Sequence, residues 1–167
     1  SSTLRAIKFF LLPEVNLNDM QRKFAFVGKN GPYDTPESFQ HYFPTNRSFI
    51  ILEGENTGGP YCQVLHQGRE MFSYDRIFVP VPYTQIESIF WHDDETANGG
   101  QGSPTECTYA EARDKLKSMG GIRITNRTDL REALYTRETP TNSNTRFCLF
   151  PIPGNATDTH VESLRAL

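Results

Sequence analysis

Between residues 48 and 82 the chain holds three apolar runs separated by turn signals, and no other feature limits its fold as strongly. SFIILEGE (48–55) and YCQVLHQG (61–68) both read as strands, and the NTGGP between them reads as a turn. GREMFSYDRIFVPVP follows, with Ile77, Val79 and Val81 on one face at period two. Pro80 and Pro82 fall on the other parity, which suggests an edge strand or the exit from a sheet. An exposed strand edge is a ready place for a partner to add a strand. Residues 76–82, with Arg76 and Phe78 among them, are therefore candidate binding positions.

The flanking segments supply further elements. TLRAIKFFLL (3–12) reads as a buried strand ended by Pro13, NDMQRKF (18–24) as a short helix, and KFAFVG as a strand before the KNGP turn. In TPESFQHYF, Thr35 is placed to cap a helix with Pro36 at its first position and Glu37 in its first turn. QIESIFW (85–91) fits either period, and its β-rich neighbourhood favours a strand. TANGGQGSP (96–104) reads as a surface loop. Beyond it, Thr108 and Glu111 form a capping box, Tyr109, Ala112, Leu116 and Met119 recur at helical spacing, and Gly120-Gly121 supplies the stop. IRIT (122–125) is a short strand. Thr128 is placed to cap a second helix that carries Leu130, Ala133 and Leu134, and TRFCLFPIP (145–153) reads as a last strand. A further capping box, Thr159 to Glu162, opens a helix just as the sequence ends, so residues 154–167 are expected to continue in a longer parent protein.

This order predicts an α+β fold with a mostly antiparallel sheet. The expected form is a curled sheet, a small β-roll or a barrel, covered by two or three helices concentrated in the C-terminal third. A division into two units at the 96–104 loop is the competing layout. One domain over residues 1–153 is preferred, because neither piece alone has much core. At 167 residues, with 37% hydrophobic and 22% charged residues, the chain suits one globular domain.

Charge and motif content rank the functions. Net charge is −3, and residues 103–147 hold eight Lys/Arg against six Asp/Glu, too slight an excess for a general nucleic-acid surface. No run of 18 apolar residues exists to span a membrane. Three cysteines, an odd number with no C-x-x-C, point to structural thiols in a reducing intracellular compartment, expected to be the cytoplasm. The glycine run lacks the lysine of a phosphate loop and GxGxxG is absent, so no cofactor is expected. Cys62 and His66 stand about 13 Å apart along a strand, too far for a nucleophile–base pair.

Three further sets of residues remain as candidates. His92, Asp93, Asp94 and Glu95 offer metal ligands, but consecutive residues cannot all face one ion. His66 is the expected extra ligand, with Glu70 or Asp75 further off. Arg127 and Arg131, four apart on a helix, could hold a phosphate, though Asp129 and Glu132 lie among them. Phe39, Tyr42 and Phe43 form either a core plug or a contact patch. No family signature stands out. The leading expectation is a non-enzymatic interaction or scaffold domain that binds a protein partner through a strand edge or the aromatic segment, with self-association left open. A metal-dependent hydrolase or nuclease using His92, Asp93 or Asp94 with His66 is second, and recognition of a phosphate-bearing ligand is third.

Overall fold

The computed structural model describes residues 2–12, 25–92, 104–135 and 146–149. The expectations for residues 18–24, 96–103 and the tail, and those for Asp93, Asp94 and Glu95, lie outside these. In chain order the elements are α1 (Ser2–Leu11), β1 (Val27–Gly28), β2 (Gly31–Pro32), α2 (Thr35–Tyr42), β3 (Phe49–Asn56), β4 (Gly59–Gln67) and β5 (Tyr74–Val79). Two 3-10 turns, Tyr83–Gln85 and Glu87–Phe90, come next. β6 (Trp91–His92), β7 (Thr105–Glu106), α3 (Tyr109–Ser118), β8 (Ile122–Ile124) and α4 (Arg127–Leu134) complete the set.

The main sheet has four strands in the order β3-β4-β5-β8, every pair antiparallel. The β3–β4 hairpin turns at Asn56↔Gly59, where Gly59 takes a positive φ of 103° that favours glycine. The fold is α+β, as the order of elements implies, but the sheet is neither curled nor closed. The helices are not gathered at the C-terminal end either: α1 and α2 lie in the first quarter of the chain.

Both faces of the sheet are covered, and this explains why β4 alternates poorly in sequence. Leu65 packs with Phe9 and Phe10 of α1 and Phe39 of α2, while Tyr61 and Phe78 pack with Leu130 and Leu134 of α4. On the opposite face Cys62, Val64, Ile77 and Val79 meet Ala112 and Leu116 of α3 and Ile86, Ile89 and Phe90 of the 3-10 turns. A strand buried on both sides has no polar face to show. The prolines after Val79 mark where β5 leaves the sheet, not an edge: β5 pairs with β4 on one side and β8 on the other.

Three elements differ from expectation for local reasons. Residues 2–11 form a helix, with Ala6, Phe9 and Phe10 facing the core at i, i+3, i+4; a short apolar run does not by itself distinguish the two periods. Residues 83–90 form 3-10 turns that bury Ile89 and Phe90, not a strand. Residues 146–149 form a turn that packs on the β3–β4 hairpin, with Arg146 donating to the carbonyls of Gly59 (3.1 Å) and Pro60 (2.5 Å) and Asn56 donating back to that of Arg146 (2.8 Å).

Two caps sit one or two residues earlier than the sequence suggests. Asp34, not Thr35, caps α2, in a reciprocal capping box with Glu37. Asn126, not Thr128, caps α4, accepting from the Asp129 amide at 2.8 Å. Both short acceptors stand three residues before a carboxylate, the spacing that the box requires. Helix α3 follows the sequence reading: Thr108 and Glu111 form the box, and the amides of Gly120 and Gly121 reach back to the carbonyls of Lys117 and Leu116. Gly120 has φ +87°, so Gly120→Ala should cost about 1–2 kcal/mol of stability. Urea unfolding of the two proteins checks it.

Candidate functional site

Two places in this frame have chemistry to offer. The first is the outer edge of β3. Its eight residues are half-buried or exposed, while residues 61–66 of β4 beside it are all buried. Among the described residues β3 pairs with β4 alone, so half of its backbone donors and acceptors face outward. An apolar groove of about 450 Å³ lies between β3, α1 and α2. Ile50, Ile51 and Leu52 all line it, together with Ile7 and Phe10 of α1 and Tyr42 of α2. Successive strand residues point to opposite faces. Ile50 and Leu52 therefore face α1 and α2, while the side chain of Ile51 packs on the opposite face of the sheet. Past the apolar half of β3, Glu53 and Glu55 are exposed.

The second place is the ladder β6–β7, where Trp91 pairs with Glu106 and His92 with Thr105. The Cys107 amide donates to the Phe90 carbonyl at 2.9 Å and continues the ladder by one step. Cys107 therefore has the parity of Thr105 and shares a face with His92, a diagonal neighbour. Directly after it Thr108 caps α3, and the box fixes Glu111 in the first turn. The Glu111 carboxylate accepts from the Thr108 amide and meets His92 Nε2, both at 2.9 Å and both through Oε2. One ligand atom each from His92, Cys107 and Glu111 lies within 4.8 Å of the others. The Thr108 bond first, and His92 second, hold the Glu111 carboxyl below its ordinary range. Burial pushes the Cys107 thiol up, against the pull of Lys115.

Comparison with protein-family models, curated proteins and solved structures gives no match. Function rests on the chain's own geometry.

The sequence-derived candidates fall in different parts of that geometry. His66 does not come to meet His92. It is buried, its ring stacks on Tyr109 (centroids 4.2 Å apart), and its nitrogens lie 2.5 and 2.8 Å from the carbonyls of Gln67 and Asn46. Asp75 is bound by Arg123 at 2.8 and 2.9 Å, across β5 and β8. Phe39, Tyr42 and Phe43 are buried against Phe9 and Leu65, and of the three Tyr42 also lines the edge groove. Phe78 is fully buried, and so is Arg76, which works inside the core. Arg127 is exposed and Arg131 half-buried in the first two turns of α4.

Cys107 and Glu111 are not among the ligands that the sequence suggests. The clue was there in TECT-x-x-E: the capping box fixes where Glu111 sits, and Cys107 stands one residue before its cap. What the residues alone do not show is that the chain returns after residue 92 to pair with itself.

Proposed function

We propose that this is a peptide-binding interaction domain that takes an extended segment of a partner protein as a fifth strand on the edge of β3. The observation that carries this reading is the coincidence of a strand that pairs on one side only among the described residues with an apolar groove lined by Ile50, Ile51 and Leu52 of that strand. Backbone pairing supplies affinity in such complexes, and pockets for alternate side chains supply selectivity. The lining calls for aliphatic or aromatic side chains at every other position of the ligand. The exposed carboxylate of Glu55 calls for Lys or Arg beyond them, whereas that of Glu53 accepts from the Tyr83 amide at 2.6 Å.

The reading can be tested with a library of seven-residue peptides that alternate apolar and polar positions and end in Lys or Arg. A binder should slow amide exchange at alternate residues of Phe49–Asn56. N-methylation of the peptide amides of one parity should abolish binding, while methylation of the other parity is tolerated, because only one parity faces the edge. Binding that survives both methylations, or a library with no binder, overturns the reading.

A further inference from the structure

We propose that His92, Cys107 and Glu111 form a binding site for one Zn²⁺ ion, with a fourth position open to a small ligand. The ligands come from three different places, each set by backbone hydrogen bonds and not by side-chain chance. His92 is fixed by the β6–β7 ladder, Cys107 by its bond to Phe90, and Glu111 by the α3 capping box. Their ligand atoms already lie within 4.8 Å of one another. A tetrahedral zinc with bonds of about 2.0–2.3 Å holds its ligand atoms roughly 3.3–3.7 Å apart. Closing on the ion therefore takes a movement of about 1 Å at side-chain ends.

The ligand types select the metal. A thiolate disfavours Ca²⁺ and Mg²⁺, which take oxygen, whereas sulfur, imidazole and carboxylate together suit zinc. Charge agrees: a thiolate and a carboxylate balance a divalent cation, so Cys107, which has no solvent exposure, would ionise without leaving a buried net charge. Binding forms the Zn–S bond and releases the thiol proton to solvent. The side chains of His92 and Glu111 are each 45% exposed, which gives the ion an entry path and leaves one side of it open. Three protein ligands and an open position is the ligand count of zinc sites that bind small molecules, not of closed structural ones.

The alternative is an ion pair between His92 and Glu111 beside an inert thiol, and metal titration separates the two. The full chain, purified metal-free, should take up one equivalent of Zn²⁺ and gain thermal stability as zinc rises. Co²⁺ in its place should give a thiolate-to-metal absorption band in the near ultraviolet. Cys107→Ser should remove that band, and Cys62→Ser and Cys148→Ser should keep it. His92→Ala, at an exposed position where folding is not at risk, should weaken Zn²⁺ binding roughly tenfold or more, since loss of even an indirect partner of a metal ligand costs that much. A metal-free chain that shows no thiolate band with Co²⁺, or the same Zn²⁺ affinity in His92→Ala, overturns the proposal.

Discussion

Replacing Arg76 with methionine should lower the unfolding free energy by about 2–4 kcal/mol, although the change removes a buried charge. Arg76 is 1% exposed, and burial pulls its guanidinium below the ordinary arginine value. Loss of a desolvated charge can stabilise a protein when apolar packing takes its place. Here the geometry argues the other way. Arg76 donates to Gln63 Oε1 at 2.9 Å and to the carbonyl of Phe9 in the last turn of α1. Gln63 in turn reaches the Phe10 carbonyl at 3.5 Å, and the Tyr135 hydroxyl donates to that of Leu11. The last carbonyls of a helix have no partner within it. The bonds to the carbonyls of Phe9 and Phe10 are buried, and each acceptor orphaned there costs about 1–3 kcal/mol. The positive charge also faces the negative end of the helix, which lowers the cost of holding it there. A loss of that size corresponds to a fall in Tm of roughly 5–15 °C for a chain of this length. Thermal and urea unfolding of Arg76→Met measure it. A more stable variant would mean that desolvation outweighs the clamp.

The second large effect is expected at Phe9. Its side chain is fully buried, and its ring meets Tyr42, Tyr74 and Phe43 edge to face, with centroids 4.6, 4.8 and 6.2 Å away. Phe9→Ala removes one ring from contact with three others and leaves a cavity between helix and sheet. The expected cost is about 3–5 kcal/mol, the range for burying alanine in place of an aromatic side chain. Phe9→Leu should recover much of it. The Phe9 carbonyl that Arg76 holds belongs to the backbone and survives the change. Because both substitutions loosen the same helix, the double variant should lose less than the two single losses combined. Urea unfolding of the four proteins decides it.

What the sequence discloses follows the range of the forces involved. The hairpin of β3 and β4 and the whole of α3 depend on neighbours a few residues apart: a glycine turn, a capping box, a glycine stop. Those are read directly from TGGP, T-x-x-E and GG. The layering is not local. Strand β4 is buried on both faces because α1 and α2 arrive on one and α3 on the other, and no spacing within YCQVLHQ announces that. The apolar run of α1 suits a strand equally well until a core exists to face. Proline gave a misleading sign at 80 and 82, since a chain leaving the middle of a sheet meets the same demand as one at its edge.

The candidate sites divide along the same line. His92 is visible as a ligand type, and its partners are hidden by the return of the chain from residue 92 to residue 105. The strand edge expected at residues 76–82 is covered, because the short β8 comes back to pair with β5; among the described residues β3 pairs on one side only.

Helix α1 is only ten residues long, marginal by itself in water. The groups that hold its last turn lie 53, 67 and 124 residues further along the chain. The first helix of the chain is therefore held by contacts of high sequence separation, from β4, β5 and the end of α4. Because α1 also forms one wall of the groove beside β3, the shape of that groove depends on contacts made 53 to 124 residues away in sequence.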